Sequence, residues 1–215
     1  MRLVSAPKKA ALAAVASLAL CAAVALPGCG GVLGFNSSDD APGQEEVGGV
    51  HSSAESIADE VTSGFEAVVD DGFSSDSISD WMDGLLDLMP EDVLEAALDQ
   101  SGMSRSEFRD YMGQIFASTG VDSLGALLDY VDMEVTFEVG DELSSSEIDD
   151  INSTFSDDAG VDAEVTSGYH LSMDMTATLL EDMNGYEAGE TESQTQDESG
   201  IKAIEVDGAW YVWMG

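Results

Sequence analysis

The stretch Val131-Asp132-Met133-Glu134-Val135-Thr136-Phe137-Glu138-Val139 alternates apolar and polar residues without a break. Successive side chains of a strand point to opposite faces, so the alternation predicts a strand with one face in the core. Upstream, apolar residues recur at intervals of three and four, the spacing of helices. Downstream, Tyr169, Leu171, Met173, Met175, Ala177 and Leu179 alternate with His170, Ser172, Asp174, Thr176 and Thr178, which predicts a second long strand. Ile201 to Val206 and Ala209 to Met214 flank Asp207-Gly208. An Asp-Gly pair between apolar runs predicts a type I′ hairpin, because both central residues need positive φ. The expected class is α+β: a helical region packed on one face of a mainly antiparallel, curved sheet, ordered helices and then β-α-β-β-β.

Working back from Val131, four helices are expected. Ile57, Val61, Phe65, Val68 and Val69 make the apolar stripe of the first, over Ser52 to Phe73. Ile78, Trp81, Met82, Leu85 and Leu86 make that of the second, near Ser77 to Leu88. Pro90 suits the first turn of a third, which carries Val93, Leu94, Ala97 and Leu98 and stops at Gly102. Ser104 with Glu107 is a capping box opening the fourth, whose inner face is Phe108, Tyr111, Met112, Ile115 and Phe116, with Gly120 as its stop. A short helical turn follows around Leu124 to Leu128. Between the two long strands, Ser144 with Glu147 is a second capping box, for a helix carrying Ile148, Ile151 and Phe155. The polar run from Gly185 to Gly200 permits an exposed strand or a loop. The Asn36 and Asn152 sequons are read as accidental.

The N-terminal segment has a basic start at Arg2, Lys8 and Lys9, and an apolar run from Ala10 to Leu26. Leu26-Pro27-Gly28-Cys29 follows. The run is about seventeen residues, at the lower edge of a membrane span, and lacks a cationic flank after it. Leu-x-Gly-Cys resembles the lipobox of bacterial lipoproteins. That resemblance implies cleavage between Gly28 and Cys29, and lipidation of the Cys29 sulfur. Residues 1–28 are then a signal peptide, 29–50 a flexible tether, and 51–215 a single α+β domain with a helical part at 52–130 and a sheet part at 131–215. A tether of about twenty flexible residues spans roughly 25 Å r.m.s.. Cys21 leaves with the signal, so the mature chain cannot form an internal disulfide.

Removing the signal leaves Arg105, Arg109 and Lys202 as the basic residues against 44 acidic ones. Such a field repels nucleic acid and anionic lipid, and admits cationic partners. With 44% hydrophobic residues there is also material for a core. Only His51 and His170 are present, and His170 falls on the polar face of its strand, where a solvated position is expected. Zinc would need more His and Cys ligands than these. No Walker loop, dinucleotide fingerprint or nucleophile elbow occurs. Asp70-Asp71 and Asp157-Asp158 with Asp162 and Glu164 are read as solvated helix ends rather than calcium ligands. No cofactor and no metal is expected.

The run from Tyr169 through Ile204-Glu205-Val206-Asp207-Gly208-Ala209-Trp210-Tyr211-Val212 resembles the C-terminal part of bacterial surface lipoproteins with nuclear-transport-factor-like (ketosteroid-isomerase-like) or cystatin-like domains. The resemblance implies a cone whose pocket would use Tyr169, Met173, Trp210 and Trp213. It also implies an enzymatic alternative, with Asp174, His170 and Tyr169 doing acid/base work against a Trp210 wall. His170 and Asp174 lie on the strand face opposite Tyr169, which argues against that alternative. The expectation is a non-catalytic lipoprotein on the outer face of the cytoplasmic membrane. It would act as a binding or interaction module for a cationic or small apolar ligand; a purely structural envelope protein is the third reading.

Overall fold

The structure, a computed structural model, describes residues 51–118, 125, 128–182 and 187–214. The expected signal, tether and stop at Gly120 lie outside them, as do residues 124, 126 and 127 of the turn expected before Val131. Helix α1 spans Ala54–Asp70, α2 Ser75–Asp87, α3 Glu91–Ser101 and α4 Arg105–Ser118. Strand β1 spans Val131–Glu142, followed by α5 at Ser145–Ser153 and a π-helical turn at Thr154–Ala159. Then come β2 at Val165–Leu179, β3 at Thr191–Gln196, β4 at Ile201–Val206 and β5 at Ala209–Met214. The fold is α+β, with a mostly antiparallel sheet that is uncurled rather than a cone.

Local chemistry explains the element boundaries. Ser53 and Ser74 cap α1 and α2 by accepting from Ser56 N and Ser77 N. Pro90 is the N-cap of α3, and Gly102 closes that helix in the left-handed conformation. Side chains of Met112, Ile115 and Phe116 are outside the described residues; Phe108 of α4 is buried. Asp207 at φ 52° and Gly208 at φ 81° make the expected hairpin turn.

Strand β2 is the axis of the sheet. One side pairs with β1 from Val131↔Leu179 to Val139↔Leu171. The other side pairs end to end with β3, as Thr178↔Thr191, and with β4, as His170↔Lys202. The polar run is thus a strand over Thr191–Gln196, joined to β4 by a break in which Ser199 N donates to Leu171 O at 3.0 Å. Strand β5 pairs with β4, and its outer edge is closed by Trp210 N donating to His51 O and Val212 N to Leu88 O.

Helix α1 lies on β1, α2 packs on α1, and α4 packs on α2. Phe65 joins three elements, with ring centroids 4.9 Å from Trp81, 6.0 Å from Phe137 and 6.1 Å from Phe73. Edge-to-face aromatic pairs of this kind contribute about 0.5–1.5 kcal/mol each beyond their buried area. Arg105 and Arg109 both reach Asp83 of α2, at 3.4 and 3.1 Å, and hold α4 there.

The expectation that helices occupy one face needs correction. Directly paired residues share a face of a sheet. Leu171, Met173 and Met175 face the α1–α2 layer, while His170, Lys202, Ile204 and Trp213 face the other way. That second face is covered at this end by α5 and the π-turn, where Phe155 packs on Trp213 at 5.4 Å. Asn152 fastens the return by accepting from Val165 N at 2.7 Å and donating to Val165 O at 3.1 Å.

Candidate functional site

The short turn between α1 and α2 sets the two helices side by side, and a groove of about 220 Å³ runs between them. At Gly64 of α1 the helices leave no room for a side chain: a Cβ there would lie 2.7 Å from Trp81 Cδ1. One turn before Gly64 stands Glu60, and one turn before Gly84 stands Asp80, all four lining the groove. The same acid-x-x-x-Gly spacing therefore recurs on both walls, since residues four apart share a helix face. Trp81, Leu85 and Val61 make the apolar floor, and each is buried. Glu60 and Asp80 are exposed at the rim.

Gly84 is the informative residue of this set. A glycine inside a helix costs roughly 1 kcal/mol relative to alanine. At Gly64 the contact with Trp81 accounts for the absence of a side chain. At Gly84 a Cβ would meet nothing within 4 Å, so packing does not require the glycine. Gly84 is exposed and lines the groove, so no side chain stands at that point of the wall. Neither arginine lines the groove, and Lys202 is on the far face of the sheet. The arrangement offers an apolar slot with carboxylates at its mouth.

The residues singled out from sequence are distributed differently. Tyr169 and Trp210 stack on the helical face, centroids 5.8 Å apart and planes at 26°. Met173 is buried in the core on that face, and Trp213 is buried on the opposite face. The expected four-residue pocket is therefore not assembled, because the pleat sends Trp213 away from the other three. None of the four lines the α1–α2 groove. Cys29 and Gly28 lie outside the described residues.

His170 was expected to be solvated and is instead buried, at 9% exposure. Helix α5 returns over its end of the sheet and sets Glu147 Oε1 2.9 Å from His170 Nε2. The other Glu147 oxygen accepts from Ser144 N at 2.9 Å and Ser144 Oγ at 2.7 Å. The Glu147 carboxyl is held below its ordinary value of 4.5, first by the Ser144 hydroxyl and then by the Ser144 N–H, with His170 adding less. Burial pushes the Lys202 ammonium, cross-strand from His170, below its usual 10.5, against the pull of Glu147 and Glu198. Asp174 shares the face with His170 but accepts from Thr195 Oγ1. The acid/base set of His170, Asp174 and Tyr169 is thus split between two faces, and each member has a different partner: Glu147, Thr195 and Trp210.

Among the described residues no group of His, Cys, Asp and Glu is placed to hold a metal ion. The side chains of Asp157 and Asp158 are outside that description. No described helix is long and apolar enough to cross a membrane. No known protein family, curated protein or solved structure matches the chain.

Proposed function

We infer that the protein is an extracytoplasmic lipoprotein, held at the outer face of the cytoplasmic membrane through lipidated Cys29, and that its folded domain is a binding module. The groove between α1 and α2, apolar within and lined by Glu60 and Asp80, carries the binding half of this reading. Leu26-Pro27-Gly28-Cys29 after a basic and then apolar segment supports the anchor. The acidity of the rest of the chain fits the placement, since it keeps the domain off anionic headgroups while leaving it open to cationic partners. No step of bond chemistry is assigned: His170 pairs with Glu147 and Asp174 accepts from Thr195, and neither lines the groove.

Fractionating cells that express wild-type protein or Cys29→Ser tests the anchor. The wild type is expected with the membranes and labelled by radioactive fatty acid. The variant is expected either in the soluble extracytoplasmic fraction or uncleaved and unlabelled. An acylated variant that still sediments with membranes contradicts the reading.

A further inference from the structure

We propose that the α1–α2 groove receives the side chain of a lysine presented by a partner polypeptide. The inference deepens the binding-module reading and rests on it.

The chemistry of the slot selects this occupant. Its floor is Trp81, Leu85 and Val61, which suits a run of methylene groups. Its mouth carries Glu60 and Asp80, one from each wall and both exposed, which suits one cationic head. An anion is excluded by the two carboxylates, and a purely apolar ligand leaves them without a counter-charge. A guanidinium demands a planar fork of acceptors, whereas an ammonium on a flexible four-carbon stem accommodates two carboxylates that approach from different helices. The slot also opens along the helix pair at the exposed Gly84, so a side chain can enter while its main chain stays outside.

The charge of the whole molecule favours the same class of partner. With 44 acidic residues in the chain against six basic ones, the protein draws lysine-bearing chains by long-range attraction and repels copies of itself. Electrostatic steering of this kind raises association rates and weakens with salt.

The test is an NMR titration of the full-length protein with n-butylammonium, n-butanol, a short lysine peptide and its Nε-acetylated form. Butylammonium and the lysine peptide are expected to shift the Trp81 indole N–H and the Gly84 amide to saturation. Butanol and the acetylated peptide should bind at least about ten-fold more weakly, the loss expected when a charged hydrogen-bonding partner is removed. Gly84→Leu, confirmed folded by circular dichroism, should abolish the shifts by filling the slot. Glu60→Gln with Asp80→Asn should weaken binding by roughly ten-fold while leaving the slot open. Equal binding of butanol and butylammonium overturns the assignment of a cation. Shifts that survive Gly84→Leu, or an absence of saturable shifts, overturn the site. Binding of butylammonium but not of the lysine peptide overturns the polypeptide partner. None of these outcomes bears on the anchor, which Cys29→Ser reads separately.

Discussion

At Gly64 a single added methyl group would sit 2.7 Å from Trp81 Cδ1, while at Gly84 the same group would meet only open space. Two identical letters, each inside a helix, thus have different reasons for being there. Gly64→Ala should destabilise the domain by about 1–3 kcal/mol, since the overpacking against a buried indole outweighs the gain in helix propensity. Gly84→Ala should stabilise it by about 0.5–1 kcal/mol through the unfolded chain and helix propensity alone. Urea melts of the two variants, read as midpoints at constant slope, decide the matter. A stabilising Gly64→Ala would show that Trp81 can move aside. The contrast was not legible from residues, because it depends on which helix face meets a neighbour. The acid-x-x-x-Gly spacing was there to be seen, but only the pairing of α1 with α2 gives it meaning.

Among the elements, β1 and β2 were legible because one face of each is in the core, which makes burial and sequence share a period of two. The capping box at Ser144 was legible as well, since it is a local motif whose geometry is set by four residues. The position of α5 was not. It returns over the polar face of β2 through long-range contacts of Phe155 and Asn152, and so buries His170, which alternation had assigned to solvent. The Thr191–Gln196 run stayed open between strand and loop, as its residues are exposed in alternation on both readings and only pairing with β2 decides. Glu147 gives this element a pH dependence. Its folded-state value lies below its unfolded one, so its contribution is present above pH 4.5 and is lost as pH falls through the folded value. Ser144→Ala removes the largest cause of that depression and should cost about 1 kcal/mol at neutral pH. The gap between wild type and variant in urea midpoint should narrow below pH 4.5. A gap that is constant down to strongly acid pH would assign the cost to the hydroxyl alone and not to the carboxylate.

The whole molecule joins two readings that come from different parts of the chain. The main hydrophobic cluster runs from α1 through the β4–β5 hairpin, with a smaller one of Val131, Ala177 and Leu179 beside it, so the helical layer and the sheet hold each other in place. The groove faces outward from the helical layer and is independent of the sheet residues from which a cone pocket had been expected. Charge acts at this scale too. The basic residues of the domain are engaged, the arginines on Asp83 and Lys202 on the second sheet face, so the surface around the groove presents acids. The class of fold was legible from period and turn chemistry; the binding surface was not, because it is a property of two helices in register. The domain is proposed to be displayed at a membrane surface by one residue, Cys29. The intact mass of the protein purified from membranes in detergent tests that most directly. The predicted result is a chain beginning at Cys29 that carries the added mass of a diacylglyceryl group, with or without a further acyl chain. A chain that begins elsewhere, or that begins at Cys29 with an unmodified thiol, would contradict it.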